Sequence, residues 1–157
     1  MANYTEEQRS TIIQMPSAVL LGAMLADAGS KVASIQEFFA GVQFISQSAR
    51  NYPQNRLVQG VLGNVNPAKI EESFKHVFTL GDIGKMRFEC ERKIDAGVMA
   101  LANDEEGNQF RAFLVRLAET VVNAAAGGFF GTKGEKVSPQ EMAYVEQLKQ
   151  KLVVPLR

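Results

Sequence analysis

Residues 16–28, PSAVLLGAMLADA, form an apolar run whose one charge is Asp27. Wound as a helix, the run has no polar face, and a helix apolar nearly all round has to be covered on every side. At about twelve residues it is too short to cross a bilayer, which takes about 20. Glu6 and Glu7 precede it with only Arg9 positive, the wrong flank for a secretory leader. It is therefore read as the central helix of a soluble helical bundle, begun by Pro16 in its first turn and stopped by Gly29.

The remaining segments supply the cover. TEEQ, with Thr5 and Gln8 three apart, is a capping box that opens a short first helix over 4–15. A third helix is expected to start at Ser34, capped through Glu37, and to run to about Tyr52 with Ile35, Phe38, Val42 and Ile45 on one face. NRLVQGVLG is a shorter helix ended by Gly63, and Asn66 with Pro67 opens NPAKIEESFKHVF. Further helices are expected over 85–102, with Ile94, Val98 and Leu101 inward, and over 109–126, with Phe110, Phe113, Leu114, Leu117 and Val121 inward; NDEEGN between them is a loop or a helix start carrying acid where the dipole favours it. SPQE starts the last helix, whose row is Met142, Val145, Leu148 and Leu152. No stretch alternates long enough to require a strand. The expectation is an all-α compact bundle of about seven to eight helices, one domain over 1–157 with its core in 16–152.

Two stretches repeat each other. Ala28-Gly29 is followed by SIQE at 34–37, and Ala126-Gly127 by SPQE at 138–141, each after an apolar helix. Two such helix pairs can share a core about a pseudo-two-fold axis, so the bundle is expected to consist of two pseudo-symmetric halves.

Composition narrows the function classes. Lys plus Arg equals Asp plus Glu, 17 against 17, which gives no general electrostatic hold on nucleic acid. The single cysteine, Cys90, excludes an intrachain disulfide and fits a reducing cytoplasm; it is read as a helical residue packing inward. The single histidine, His76, follows Glu72 by four and is read as its partner on one helix face. One histidine is too few for the paired Glu-x-x-His of a di-iron bundle. GGFFGTKGEK, with Phe129, Phe130, Lys133 and Lys136, lacks the ending of a phosphate loop and is read as a loop. The run KMRFECERK balances Lys85, Arg87, Arg92 and Lys93 with Glu89 and Glu91 and is read as a solvated face.

The helix-junction acids carry more. Asp27 stands in the last turn of the central helix, where the macrodipole disfavours an anion and invites a cation, from Lys31 or from a bound metal. Glu37 and Glu141 stand at helix starts, where the capping box already employs a carboxylate.

In LLGAMLADAG followed by SIQEFF, and RLAETVVNAAAG followed by KVSPQEMAYVEQLKQKL, the chain resembles the tellurite-resistance TerB family over about residues 17–152. The resemblance implies a small all-helical protein of two related halves, non-enzymatic and associated with stress and tellurite resistance in bacteria. It implies a divalent cation as the candidate cofactor, on a metal face carried by Asp27, Glu37 and Glu141. Two departures from the family pattern stand out: Ala28 separates Asp27 from Gly29, and the second turn has Ala126 where an acid is expected. The expected partner is a protein, or a second copy of the chain, with no nucleic acid and no membrane insertion. The alternative is a plain helical protein–protein interaction module whose junction acids are only caps.

Overall fold

The computed structural model describes residues 3–26, 31–80, 83–126 and 137–153; for 31–36, 73–74, 76–80 and 125–126 it describes the backbone alone. Among the described residues there are eight helices and no strand: α1 (Glu6–Ile13), α2 (Met15–Ala26), α3 (Lys31–Asn51), α4 (Arg56–Leu62), α5 (Pro67–Leu80), α6 (Ile83–Ala100), α7 (Glu105–Ala126) and α8 (Pro139–Leu152). No described helix is long and apolar enough to cross a membrane.

The first capping box forms as its spacing predicts. Thr5 Oγ1 accepts from the Gln8 amide at 3.1 Å, and Gln8 Oε1 accepts from the Thr5 amide at 2.8 Å. One residue, Gln14, separates α1 from α2, at the point where Pro16 brings no amide to the helix ladder. Beyond it every residue of α2 except Ser17 is buried. The central position read from the apolar run is thus realised: α2 packs against α3, α6, α7 and α8.

α7 is the second central helix. It lies along α2 and α3 and takes α4 and α8 on its flanks. Its row Phe110, Phe113, Leu114, Leu117 and Val121 is fully buried. Phe113 stacks on Phe44 of α3 with ring centroids 5.8 Å apart, fastening the most extensive helix contact of the bundle. α6 covers α2 from another side, with Ile94 buried and Cys90 turned inward as expected. Gly97 makes this approach possible, since a Cβ there would strike the Met15 side chain. α4 is tied down by Asn55, which is buried. Its Oδ1 accepts from the Val58 amide at 2.9 Å, while its Nδ2 donates to Glu106 O at 3.1 Å and Gln109 Oε1 at 2.8 Å.

Three expectations need correction. α3 starts at Lys31, not Ser34, so SIQE is a helix interior and Glu37 stands in the second turn instead of the first. α7 starts at Glu105, four residues before the expected Gln109; Asp104 Oδ1 takes the Gly107 amide at 2.7 Å and opens the helix there. Met142 is 61% exposed, so the inward row of α8 is Val145, Leu148 and Leu152.

The end of α6 is closed from another helix. Arg111 of α7 is only 7% exposed. Its guanidinium donates to Ala102 O at 3.0 Å and Leu101 O at 3.2 Å, carbonyls that follow α6, and to Asn108 Oδ1 at 3.1 Å. Burial lowers its pKa, with Tyr4 and Asp104 acting in the opposite sense. A cation is what the carbonyl end of a helix attracts.

Candidate functional site

The three junction acids do not form one described set. Asp27 lies outside the described residues, as does GGFFGTKGEK at 127–136, and the His76 side chain is not described. Glu141 is 6% exposed. Its Oε1 accepts from the Ser138 amide at 3.0 Å while Ser138 Oγ accepts from the Glu141 amide at 3.1 Å. It therefore has the capping work that the SPQE spacing predicts. Glu37 is 3% exposed inside α3. Among the described residues no three His, Cys, Asp or Glu stand together as a cation would need. The described carboxylates thus do not fit a divalent metal, and no chemistry is derived through one.

The cation expected for Asp27, from Lys31 or a metal, falls outside the described side chains; a different cation meets the last described turn of α2. Arg87, on α6, donates from Nε to Leu25 O at 2.6 Å and from Nη2 to Ala26 O at 2.8 Å. The reading of KMRFECERK as a solvated face holds for Arg92, which pairs with Glu89 at 3.0 Å. Arg87 is exposed as well, but it also binds across to the neighbouring helix.

Beside Arg87 a cleft of about 320 Å³ opens between α2, α6 and α8, within the size range of small-ligand sites. Gly22 and Ala26, one helical turn apart on α2, line one wall. Small residues there let α8 come close: a Cβ on Gly22 would collide with the Tyr144 hydroxyl, which instead donates to Val19 O at 3.1 Å. Cys90 and Ile94 line the α6 side, and Tyr144, Leu148 and Lys151 the α8 side. Lys151 bonds to Asp95 at 2.9 Å and Glu91 at 3.1 Å.

The electrostatics of the cleft suit binding. Burial pushes the Cys90 thiol up to about 11, far from the thiolate range of reactive cysteines. Burial likewise raises the Tyr144 phenol well above its ordinary value. Burial works to lower Lys151, but its bonds to Asp95 and Glu91 prevail and raise it. Across neutral pH the thiol and phenol stay neutral and the ammonium stays charged. Reading the sequence missed this cleft because Gly22, Cys90, Tyr144 and Lys151 lie far apart in the chain. The one local signal was a glycine within an apolar helix, which marks close approach of a neighbour.

A comparison of the chain with protein-family profiles, curated proteins and solved structures returned no match.

Proposed function

We propose that this chain is a non-enzymatic stress and tellurite-resistance protein of TerB-like build that acts by binding a ligand or protein partner. The observation that carries the reading is an internal correspondence in burial. With Ala28-Gly29 laid on Ala126-Gly127, buried Ile12, Met15, Val19 and Ala23 fall on buried Phe110, Phe113, Leu117 and Val121. With Ser34 laid on Ser138, buried Glu37, Gly41 and Ser48 fall on buried Glu141, Val145 and Leu152. The packing supports the pairing in one half of the comparison, α2 meeting α3 much as α7 meets α8, while α7 meets α3 far more extensively than α2 meets α8. The altered role of SIQE weakens the likeness of the two caps but leaves this correspondence intact.

Binding in place of catalysis is favoured by the cleft, whose thiol and phenol are held neutral. The test is survival of a tellurite-sensitive bacterium producing the chain. Protection retained in Cys90→Ser is the expected result; absence of protection, or its loss in Cys90→Ser, refutes the proposal. Thermal melts with Ca²⁺, Mg²⁺, Mn²⁺ or Zn²⁺ against chelator decide the cation separately, because a ligand of the native state raises the midpoint.

A second reading, a plain helical interaction module, draws on exposed Phe39, Phe88 and Met142 and on the capping work of Glu141. It expects Glu141→Ala to cost about 0.5–2 kcal/mol without altering protection against tellurite.

A further inference from the structure

A second cavity, of about 390 Å³, lies between α1 and α4. Its lining is largely apolar: Tyr4 and Ile13 are partly exposed, over the buried Ile12, Leu57 and Val61. Two cations line it, Arg9 from α1 and Arg56 from α4, both exposed. Among the described residues neither guanidinium has an ion-pair partner. Glu106 comes near Arg56, but its Oε2 accepts from the Arg56 backbone amide at 2.6 Å, and Glu106 does not line the cavity.

Gly60 gives an independent reason to regard the space as kept open. It lies within α4, where glycine is among the poorest helix formers. Gly22, Gly41 and Gly97 occur within helices because a Cβ would run into Tyr144, Leu20 or Met15. Gly84 of α6 has no such neighbour, and neither has Gly60. It lines the cavity, and a Cβ built on it meets no heavy atom within 4 Å. Packing inside the protein does not fill the space beside this glycine, which leaves the cavity open on the α4 side.

We infer that the α1–α4 cavity binds a small amphiphilic anion, its apolar body against Tyr4, Ile13 and Leu57 and its oxyanion head held by Arg9 and Arg56. Guanidinium groups match carboxylate and phosphate through paired N–H donors, and an apolar cleft of this size with a few polar anchors is the common form of a small-molecule site. The head is a carboxylate or a phosphate monoester, two sources of one chemistry. The site is separate from the α2–α6–α8 cleft and from Glu37 and Glu141, so it stands or falls independently of the function proposed above.

The test is calorimetric titration of the full chain with decanoate, decyl phosphate, decanol and inorganic phosphate, each below its micelle concentration. Decanoate or decyl phosphate is expected to bind at least tenfold more tightly than decanol or inorganic phosphate, and the tighter of the two identifies the head group. Arg9→Gln with Arg56→Gln should weaken that binding about tenfold or more. Gly60→Leu, whose side chain enters open space, should abolish it while the thermal midpoint stays level or rises. No binding of either anion, equal binding of decanol or inorganic phosphate, or full affinity in Gly60→Leu each overturns the inference.

Discussion

Replacing Arg111 by alanine should unfold the chain more easily by about 3 kcal/mol. The guanidinium makes three hydrogen bonds, at 3.0, 3.1 and 3.2 Å, and a bond from a charged group contributes about 1.5–3 kcal/mol net. These are longer than the ~2.7–2.9 Å of strong charge-assisted bonds, so the lower figure applies. Asn108 is exposed and its amide can turn to water, which leaves two carbonyls, Leu101 O and Ala102 O, to lose their donor. Two bonds at the lower figure give about 3 kcal/mol. Loss of a cation at a helix end adds about 0.3–1 kcal/mol. Relief from burying a charge offsets that last part, as the lowered pKa of Arg111 indicates. Lysine reaches one carbonyl at a time, so Arg111→Lys should cost about half as much. For a chain of this size each kcal/mol moves the midpoint by about 2–4 °C, so Arg111→Ala should melt about 6–12 °C lower. Circular dichroism against temperature and urea measures both variants. Arg116→Ala is the control, since among the described residues that exposed side chain reaches only the Tyr52 hydroxyl, at 3.5 Å. A loss below about 1 kcal/mol for Arg111→Ala, or equal losses for alanine and lysine, refutes the account of Arg111 as a two-carbonyl clamp.

Ser138→Ala and Thr5→Ala should each cost about 0.5–2 kcal/mol in urea unfolding, while Ser34→Ala should stay within about 0.5 kcal/mol because Ser34 is interior to α3; an equal cost at Ser34 would restore a helix start there. Gly97→Ala forces a methyl into Met15 and should lose about 1–3 kcal/mol, measured by the same unfolding curves; a neutral result would mean that Met15 has room to move. Cys90, held at about 11, should carry on the order of 0.1% thiolate at pH 8 and react with a disulfide reagent at least about 100-fold more slowly when folded than in urea. Its raised pKa also sets a sign. Relative to Cys90→Ala, the native chain keeps its stability below about pH 8.5 and loses about 1 kcal/mol per pH unit from there toward 11; pH-dependent melts of the pair check the slope.

What the sequence disclosed and what it concealed divide along a physical line. Local chemistry was legible. Thr5 with Gln8 and Ser138 with Glu141 are caps written within four residues, and the run over 16–28 announces a buried helix because it offers no polar face to water. Concealed were features set by a neighbour distant in the chain. NDEEGN reads equally as a loop or a helix start; it is the start, and Gly107 stands in the first turn of α7 where a Cβ would meet the Ala102 carbonyl. Arg87 resembled its charged neighbours until the end of α2 was placed beside it. Ser34 and Ser138 share a motif, but only the second begins a helix, since α3 starts earlier at Lys31. The candidate cleft was concealed for the same reason, its walls being drawn from α2, α6 and α8.

The covered state of α2 has a consequence for how the chain is made. Its cover comes largely from α6, α7 and α8, encoded between residues 83 and 152. During synthesis the oily segment leaves the ribosome well before these partners exist, and an uncovered apolar surface of that kind is prone to aggregate. Production of this protein should therefore draw on the chaperones that shelter nascent chains, until the last helix closes over the first ones.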